Sequence, residues 1–422
     1  MTRVIYTGMD VHKDTYSLCS YDAQDNVMFS ETTVKAETAS VLSYIKSIEK
    51  RYSNDDVMIV CGYEAGPTGF SLCRQLQKKN ISCVVMAPTS LPKAPDEKKR
   101  KTDKGDARSL ALHLAHKTYK AVHVLSPEIE TIKELTRTRA TALKAQKRAK
   151  QNLLSFLLRK GMVYPYGGRA KYWTQKFYAW LKTLEFSNDI ERYSFEEYLS
   201  EVNHQMSRVS RLDEKIGEIA EDPLIRDDVK KLCCFSGIST LTAVSLVSEI
   251  GDFNRFEKAR YFASYLGLCP GIHSSGLSSQ TLGITKAGNK HLRCLLIEAA
   301  QAMSRSQICG KKSLRLLARQ KDMNPLVIAY ADRATERIKR RRSSMIFRGV
   351  NCNKATTAAA REMAFHMGVD DQQYCITSRK PYKGRDWRLR NLSYRRFNLK
   401  DRLVSAILIP IVRADGLFRR TI

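Results

Sequence analysis

Short strand patterns and amphipathic helix patterns alternate along residues 4–117, and their order restricts the folds that this part of the chain can adopt. Apolar and β-branched runs bounded by turn residues predict three strands first, joined as an antiparallel meander. Helix, strand, helix, strand and helix patterns follow. The strand segments are VIYTGMDVHKDTYSLCSYD, NVMFSETTV, DVMIVCGYE and ISCVVMAP, and the helical segments are ETASVLSYIKSIEKRY, GFSLCRQLQKKN and a stretch from about residue 104.

This order is the succession of the ribonuclease H-like fold, so an α/β domain of that kind is predicted for residues 1–122. Residues 123–222 are predicted to form long helices paired as a hairpin or coiled coil, because apolar residues recur there every seven positions. A mostly helical domain is predicted for 223–368, with a basic tail of unknown role at 369–422. The seven-residue repeats are Leu135, Ala142, Ala149 and Phe156, and Phe195, Val202, Val209 and Ile216.

The charge balance points to a polyanionic partner. The chain has 422 residues, with 72 Lys and Arg against 43 Asp and Glu, which gives a formal net charge of +29. Such a surplus repels itself in a folded protein and is typical of nucleic-acid binding. No membrane partner is expected, since the apolar run at 403–412 contains a proline and is too short to span a bilayer.

Cysteine usage and the N-terminal residues predict a cytoplasmic protein. The eleven cysteines are scattered without a C-x-x-C pair, so reduced thiols are expected rather than disulfides or a zinc site. The opening residues MTRVIYTGMD lack the apolar run of a signal peptide.

Four acidic residues occupy positions that a ribonuclease H-like sheet would bring together. Asp10 lies in the first strand, Glu64 ends the fourth, and Asp103 and Asp106 lie one turn apart at the start of the last helix. Singly, each has an ordinary explanation: strand-end acids, an N-cap at Asp103 and a capping-box acid at Asp106. Together, four carboxylates repel one another unless they hold hard cations, which predicts Mg²⁺, with two ions. Two such ions suit phosphodiester displacement.

Three motifs carry a resemblance to a known family. The segments GMDVHKDTYSL, YEAGPTGFSLCRQL and KTDKGDARSLA resemble the RuvC-like DEDD domain of the Piv-like transposases and invertases of bacterial insertion sequences. The stretch from FSGISTLTAVSLVSEIG to KHLRCLLIEAA resembles the second domain of that family, so that the likeness covers residues 4–365. The resemblance implies a DNA transposase or site-specific recombinase in which Asp10, Glu64, Asp103 and Asp106 are the DEDD acids.

The resemblance also implies a serine nucleophile. The second domain of the family carries a P-x-x-x-x-S-G motif, which Pro270, Ser275 and Gly276 match here, with Ser274 as the alternative nucleophile. Without the resemblance, HSSG would be an ordinary polar turn. A serine hydroxyl can attack a phosphodiester and conserve the energy of the bond as a phosphoserine, which suits recombination. His273 is a weaker expectation as its base, because neighbours in sequence often point apart.

Partners follow from charge and from the resemblance. Double-stranded DNA is expected from the positive charge, and the resemblance implies a homo-oligomer, dimer or tetramer, and a structured non-coding RNA that pairs with donor and target DNA. The predicted nucleic-acid contacts are Lys98, Lys99, Arg100, Lys101, Lys286, Asn289, Arg293, Lys339, Arg340 and Arg341.

Other interpretations stay open at this point. A RuvC-like, structure-selective endonuclease of the Holliday-junction resolvase type would need the acids but not the serine. A catalytically decayed nucleic-acid-binding protein would need neither. The segment YPYGGRAKYWTQKFYAWLK (164–182) is either a loop that stacks on nucleic acid or a hydrophobic hinge.

Overall fold

The computed structural model describes residues 2–92, 102–166, 168, 172–275, 278–305 and 312–368. These residues fall into two compact units, which divide between Ser126 and Pro127. The predicted contacts Lys98, Lys99, Arg100 and Lys101, the motif residue Gly276 and the tail 369–422 lie outside the described residues.

The first unit is a five-stranded mixed sheet with helices. Strand β1 pairs antiparallel with β2 and parallel with β4, and the strand order across the sheet is β3-β2-β1-β4-β5. The meander and the order of strands and helices predicted from the sequence are confirmed. The bounds are β1 Arg3–Val11, β2 Thr15–Asp22, β3 Val27–Lys35, α1 Thr38–Arg51, β4 Val57–Glu64, α2 Ser71–Gln77, β5 Ser82–Met86 and α3 Asp103–Ala115.

Alternation along β1 separates two faces of the sheet. Met9 is completely buried in the apolar core that includes residues of helices α1 and α2. Its neighbour Gly8 points the other way, toward α3, and a Cβ there would lie 2.2 Å from the carbonyl oxygen of Ala107 and 2.3 Å from the backbone nitrogen of Ala111. Helix α3 therefore rests directly on the backbone of β1, which only glycine allows at this position.

The second unit is mostly helical. Two long helices run antiparallel, since Arg139 near the start of α4 pairs with Asp213 near the end of α6, and Lys160 pairs with Glu191 at the opposite ends. The bounds are α4 Pro127–Arg159, α5 Gln175–Leu181, α6 Asp189–Ile219, α7 Arg226–Cys233, α8 Thr240–Ile250, α9 Ala259–Tyr265, β6 Pro270–Ser275, β7 Ser278–Ile284, α10 Lys290–Ser304, α11 Leu314–Gln320, α12 Pro325–Phe347 and α13 Cys352–Gly368.

The aromatic segment near residue 170 contributes to a core. Tyr164 and Phe177 are buried, and their rings meet edge to face at 5.1 Å between centroids. Tyr172, Trp173 and Trp180 pack against the same apolar cluster. For these described residues, the hydrophobic alternative from the sequence fits better than a loop held open for stacking.

The antiparallel hairpin β6–β7 was not predicted from the sequence, which indicated a mostly helical domain for residues 223–368 and a polar turn at HSSG. Its strands carry polar and small residues without the alternating apolar pattern that identifies a strand, so the periodicity gave no signal. In the part of the chain that the structure describes, no helix is long and apolar enough to cross a membrane.

Replacing Gly8 with Ala should push α3 away from β1 and destabilise the protein by about 3 kcal/mol, because the clash is with backbone atoms that cannot rotate aside. Chemical denaturation monitored by circular dichroism measures this loss. Gly66→Ala is the matched control, because a Cβ there meets only one atom, at 3.9 Å, and it should change stability by less than about 1 kcal/mol. Equal stability of the two variants would contradict the close helix–strand contact.

Candidate active site

The register of the sheet brings two of the predicted acids to one edge. Met9 lies opposite Tyr63 in the parallel pair β1–β4, so Asp10 and Glu64 follow at the same end of the two strands. A Cβ on Gly62 would also contact α3, through Leu114, so both strands turn their even-numbered residues toward that helix. Strand alternation then directs Asp10 and Glu64 to the α3 side of the sheet.

Helix α3 brings the other two acids to this side. Its N-cap is Thr102, whose Oγ1 accepts a hydrogen bond of 3.2 Å from the backbone N–H of Gly105. The interpretation of Asp103 as N-cap and Asp106 as capping-box acid is therefore wrong: Asp103 is the first residue of the helix, and Gly105 occupies the position that a capping box requires. Neither carboxylate is needed to cap the helix.

Two of the acids and a histidine form a tight group of possible metal ligands. Nε2 of His12 lies 3.0 Å from Oδ2 of Asp10 and 3.8 Å from Oδ1 of Asp103. Among the described residues, these three offer donor atoms that all lie within 4.8 Å of one another. Glu64 and Asp106 are not members of this group. Two carboxylates and an imidazole are a donor set that fits a divalent cation.

Asp10 is the least exposed residue of this group. Its side chain is only 16% exposed, whereas the side chains of His12 and Asp103 are about half exposed. Burial raises the pKa of Asp10, the nearby His12 opposes that rise, and the charges of Asp106 and Asp103 add to it. The Asp10 carboxyl therefore lies in a negative environment with little solvent, where a cation would relieve the repulsion.

Sequence analysis did not single out His12. The signal that could have found it is its spacing, because a residue two positions after Asp10 lies on the same face of the strand. The nearby cations of α3 have another partner: Arg108 bonds to Glu31 of β3, and Lys104 lies 4.0 Å from the same carboxylate. They are thereby held on the β3 side.

The predicted nucleophile lies at the exposed end of the β6–β7 hairpin. Ser275 pairs with Ser278 across the two strands, with 3.3 Å between their side-chain oxygens, and Ser278 Oγ donates to the backbone oxygen of Ser275 at 3.1 Å. Ser274 and Ser275 are both exposed, and as consecutive strand residues they point to opposite faces of the hairpin. A substrate on one face would therefore meet one serine and not the other.

Hydrogen bonds close the base of this hairpin. The backbone N–H of Thr285 donates to Cys269 at 2.8 Å, and that of Asn289 donates to Tyr265 at 2.8 Å. Arg293, which is almost fully buried, donates from Nη1 to the Leu266 carbonyl oxygen at 2.8 Å. The chain entering the hairpin and the chain leaving it are thus fastened to each other and to α10.

A buried carboxylate joins this base to α4. Arg137 donates two hydrogen bonds to Glu249, of 2.6 and 3.0 Å, and Asn289 donates a third, of 2.9 Å. Burial works to raise the pKa of the Glu249 carboxyl, but the hydrogen bonds and charge of Arg137 and the bond from Asn289 outweigh it, so the pKa lies below its ordinary value. Glu249 is charged when the protein is folded at neutral pH.

Several predicted nucleic-acid contacts have partners within the chain. Asn289 caps α10 and Arg293 is buried, as described above. On α12, Arg341 bonds to Glu362 and Arg340 to Glu336, while burial lowers the pKa of Lys339. Lys286 is exposed in the loop after β7. Nucleic-acid binding by these residues stays a prediction.

Comparisons with known proteins agree with the motifs. A DEDD-type family model described as transposase matches residues 7–161, and one described as transposase of the IS116/IS110/IS902 family matches residues 229–314. The transposase for insertion sequence element IS1533 of Leptospira borgpetersenii is 32% identical over 345 residues, which are 81% of this chain and 96% of that protein. The chain belongs to the IS116/IS110/IS902 family of transposases.

Two further relatives of this transposase agree with the family assignment. A putative transposase of Sinorhizobium fredii is 32% identical over 334 residues, or 79% of this chain and 80% of that protein. A pilin gene-inverting protein of Moraxella bovis is 31% identical over 105 residues, or 24% of this chain and 33% of that protein. The family resemblance seen in the sequence motifs is confirmed.

Truncating Glu249 to Ala should lower the free energy of unfolding by about 2 kcal/mol. The loss is below the roughly 3–5 kcal/mol of a fully buried pair, because Arg137 is half exposed. The folded pKa of Glu249 lies below that of the unfolded chain, so its contribution is complete above the ordinary glutamate range and is lost as the pH falls through the folded pKa.

Urea denaturation of wild type and Glu249→Ala at several pH values tests this. The difference between the two proteins should shrink in acid. Glu218→Ala is the control, because it breaks a pair with Lys215 in which both side chains are more than half exposed, and it should cost less than about 1 kcal/mol. An unfolding free energy for Glu249→Ala equal to that of wild type would show that the buried pair adds no stability.

Proposed function

We propose that this transposase cleaves and exchanges DNA strands with a divalent-metal site built on Asp10, Glu64, Asp103 and Asp106. The observation that carries the proposal is the meeting of Asp10 and Asp103 in one group of donor atoms, with their carboxylates bracketing His12. Asp106 acts on Asp10 through its charge, and Glu64 follows Tyr63 at the same sheet edge. The proposed two-ion site would draw on all four acids.

The fold supports this proposal in finer detail. The strand order β3-β2-β1-β4-β5, with β4 and β5 parallel to β1, agrees with a ribonuclease H-like domain. We also propose that α4 and α6 pair as an antiparallel coiled coil, since the seven-residue repeat positions Ala142, Ala149, Val202 and Val209 are buried. That helical region would be the contact between protomers of an oligomer.

Mg²⁺ is the proposed metal, with two ions. When bound, such ions polarise the phosphate and stabilise the charge that develops on the attacking and leaving oxygens. The residues contribute what the ions require: oxygen ligands at a sheet edge that the α3–β1 contact holds at short range. The side chain of Asp10, being the least exposed of the group, fixes the position of the site.

Ser275 is the proposed nucleophile. Its Oγ forms a bond to phosphorus while the bond from phosphorus to the departing deoxyribose oxygen breaks, and the serine proton is lost as the departing oxygen gains one. The energy of the phosphodiester is kept in the phosphoserine, and an incoming DNA hydroxyl reverses the step to rejoin the strands. The exposed end of a polar hairpin fits this role, because a large duplex can approach it.

Double-stranded DNA is the proposed substrate, and a structured non-coding RNA the proposed guide. The net charge of +29 supports both, since phosphate backbones are held mainly by Lys and Arg. Choice of the target sequence would then rest on RNA pairing, with the protein binding backbones. A homo-oligomer in the bacterial cytoplasm, at the nucleoid, is the proposed working form.

Asp10→Asn should abolish strand cleavage in Mg²⁺ while DNA binding is unchanged. Loss of a metal ligand removes several kcal/mol of transition-state stabilisation, so at least a roughly 100-fold fall in rate is expected. A labelled-DNA cleavage assay and a filter-binding assay measure the two properties. Asp14→Asn, the same chemical change on an exposed acid of the β1–β2 turn, should cleave normally. Full activity of Asp10→Asn would disprove the metal-site proposal.

Ser275→Ala should stop exchange and leave no DNA-linked protein, while Ser274→Ala should have a milder effect because its side chain lies on the other face. Denaturing gels of each variant with a labelled DNA substrate detect the covalent adduct. An adduct in Ser275→Ala but not in Ser274→Ala moves the assignment by one residue. Cleavage without any adduct in the wild-type protein would instead favour the resolvase-type endonuclease.

A further inference from the structure

We infer that His12 is a nitrogen ligand of the metal that Asp10 and Asp103 hold, and that this ligand raises the affinity of their shared site for Mn²⁺ more than for Mg²⁺. The inference rests on the proposed function, since it concerns the same metal site. It goes beyond the four acids, because it adds an imidazole to a site otherwise built from carboxylate oxygens.

Distances support direct coordination. An octahedral ion with ligands at about 2.1 Å has neighbouring ligand atoms about 3.0 Å apart and opposite ones about 4.2 Å apart. The Asp10 Oδ2–His12 Nε2 separation is 3.0 Å, and the His12 Nε2–Asp103 Oδ1 separation is 3.8 Å. The first separation matches neighbouring positions around one ion, and the second lies between the two ideal values, a difference that the half-exposed side chains of His12 and Asp103 can remove by rotating.

The backbone explains why the imidazole is there. Gly8, Asp10 and His12 have the same parity on β1, and Gly8 marks the face on which α3 rests. His12 lies directly after the strand, where its backbone N–H donates to Thr15 at 3.1 Å across the β1–β2 turn. The turn therefore fixes the residue on the α3 side, beside the first residue of that helix.

The chemistry gives the selectivity. Mg²⁺ binds oxygen and keeps its water, whereas first-row transition ions gain more from an imidazole nitrogen. A site of two carboxylates and one imidazole thus discriminates in favour of the transition ion. An all-carboxylate version of the same site would lose that discrimination.

The test measures metal binding without DNA or turnover. Mn²⁺ and Mg²⁺ titrations of the full chain by calorimetry, and pulsed electron paramagnetic resonance of bound Mn²⁺, are applied to wild type, His12→Gln, His12→Asp and Asp10→Asn. Wild type should show nitrogen modulation from a coordinated imidazole. His12→Gln should lose it and bind Mn²⁺ about tenfold more weakly, in the range found for changed metal surroundings. His12→Asp should shift preference toward Mg²⁺.

Controls separate the possible failures. His116→Gln, an exposed imidazole beyond the far end of α3, should keep the wild-type spectrum and affinity. The His12 inference is overturned if His12→Gln binds Mn²⁺ as tightly as wild type does and neither of these two proteins shows a nitrogen signal. The acid site still stands in that case if Asp10→Asn loses Mn²⁺. If Asp10→Asn binds Mn²⁺ as tightly as wild type, the proposed metal site itself fails.

Discussion

The contact of helix α3 with the backbone of strand β1 at Gly8 is the constraint on which the site depends. With no side chain between them, the helix carries its first residues to the end of the strand where Asp10 lies. The 3.8 Å approach of His12 and Asp103, which are 91 positions apart in sequence, is a consequence. A side chain at Gly8 would move Asp103 away from Asp10 and His12, and in the proposed metal site a misplacement of about 1 Å would be costly for catalysis.

Local periodicity explains what the sequence could predict. Strand alternation and strand-end acids are local features, so the order of the first unit and the common edge of Asp10 and Glu64 followed from them. The prediction of Asp103 as the N-cap was wrong because Thr and Asp are both good N-cap residues, and only the backbone conformation decides between Thr102 and Asp103. Residue roles in the second unit depend on partners distant in sequence, such as the bond from Asn289 to Glu249, and these leave no local pattern.

The β6–β7 hairpin is another element that depends on contacts distant in sequence. Its strands have little apolar alternation, and six of the residues around its tip and strands are serine, histidine or glutamine. What holds them in register is at the base, where Arg293 and Asn289 fasten the entering and leaving chain to α10. A polar strand pair that carries the proposed nucleophile at its exposed end is thus stabilised at its base by the buried Arg293 and by Asn289.

The positively charged residues of this chain have two roles, which the net charge does not distinguish. Arg137 with Glu249, and Arg337 and Arg341 with Glu362, join helices inside the second unit, and an arginine committed to a buried carboxylate is poorly placed to neutralise a phosphate. The number of Lys and Arg residues therefore overstates the number of contacts that this transposase can make with nucleic-acid phosphates. The same pairing orders α4, α8 and α10 around the hairpin, so part of the positive charge helps to position Ser275, the proposed nucleophile, instead of contacting DNA phosphates directly.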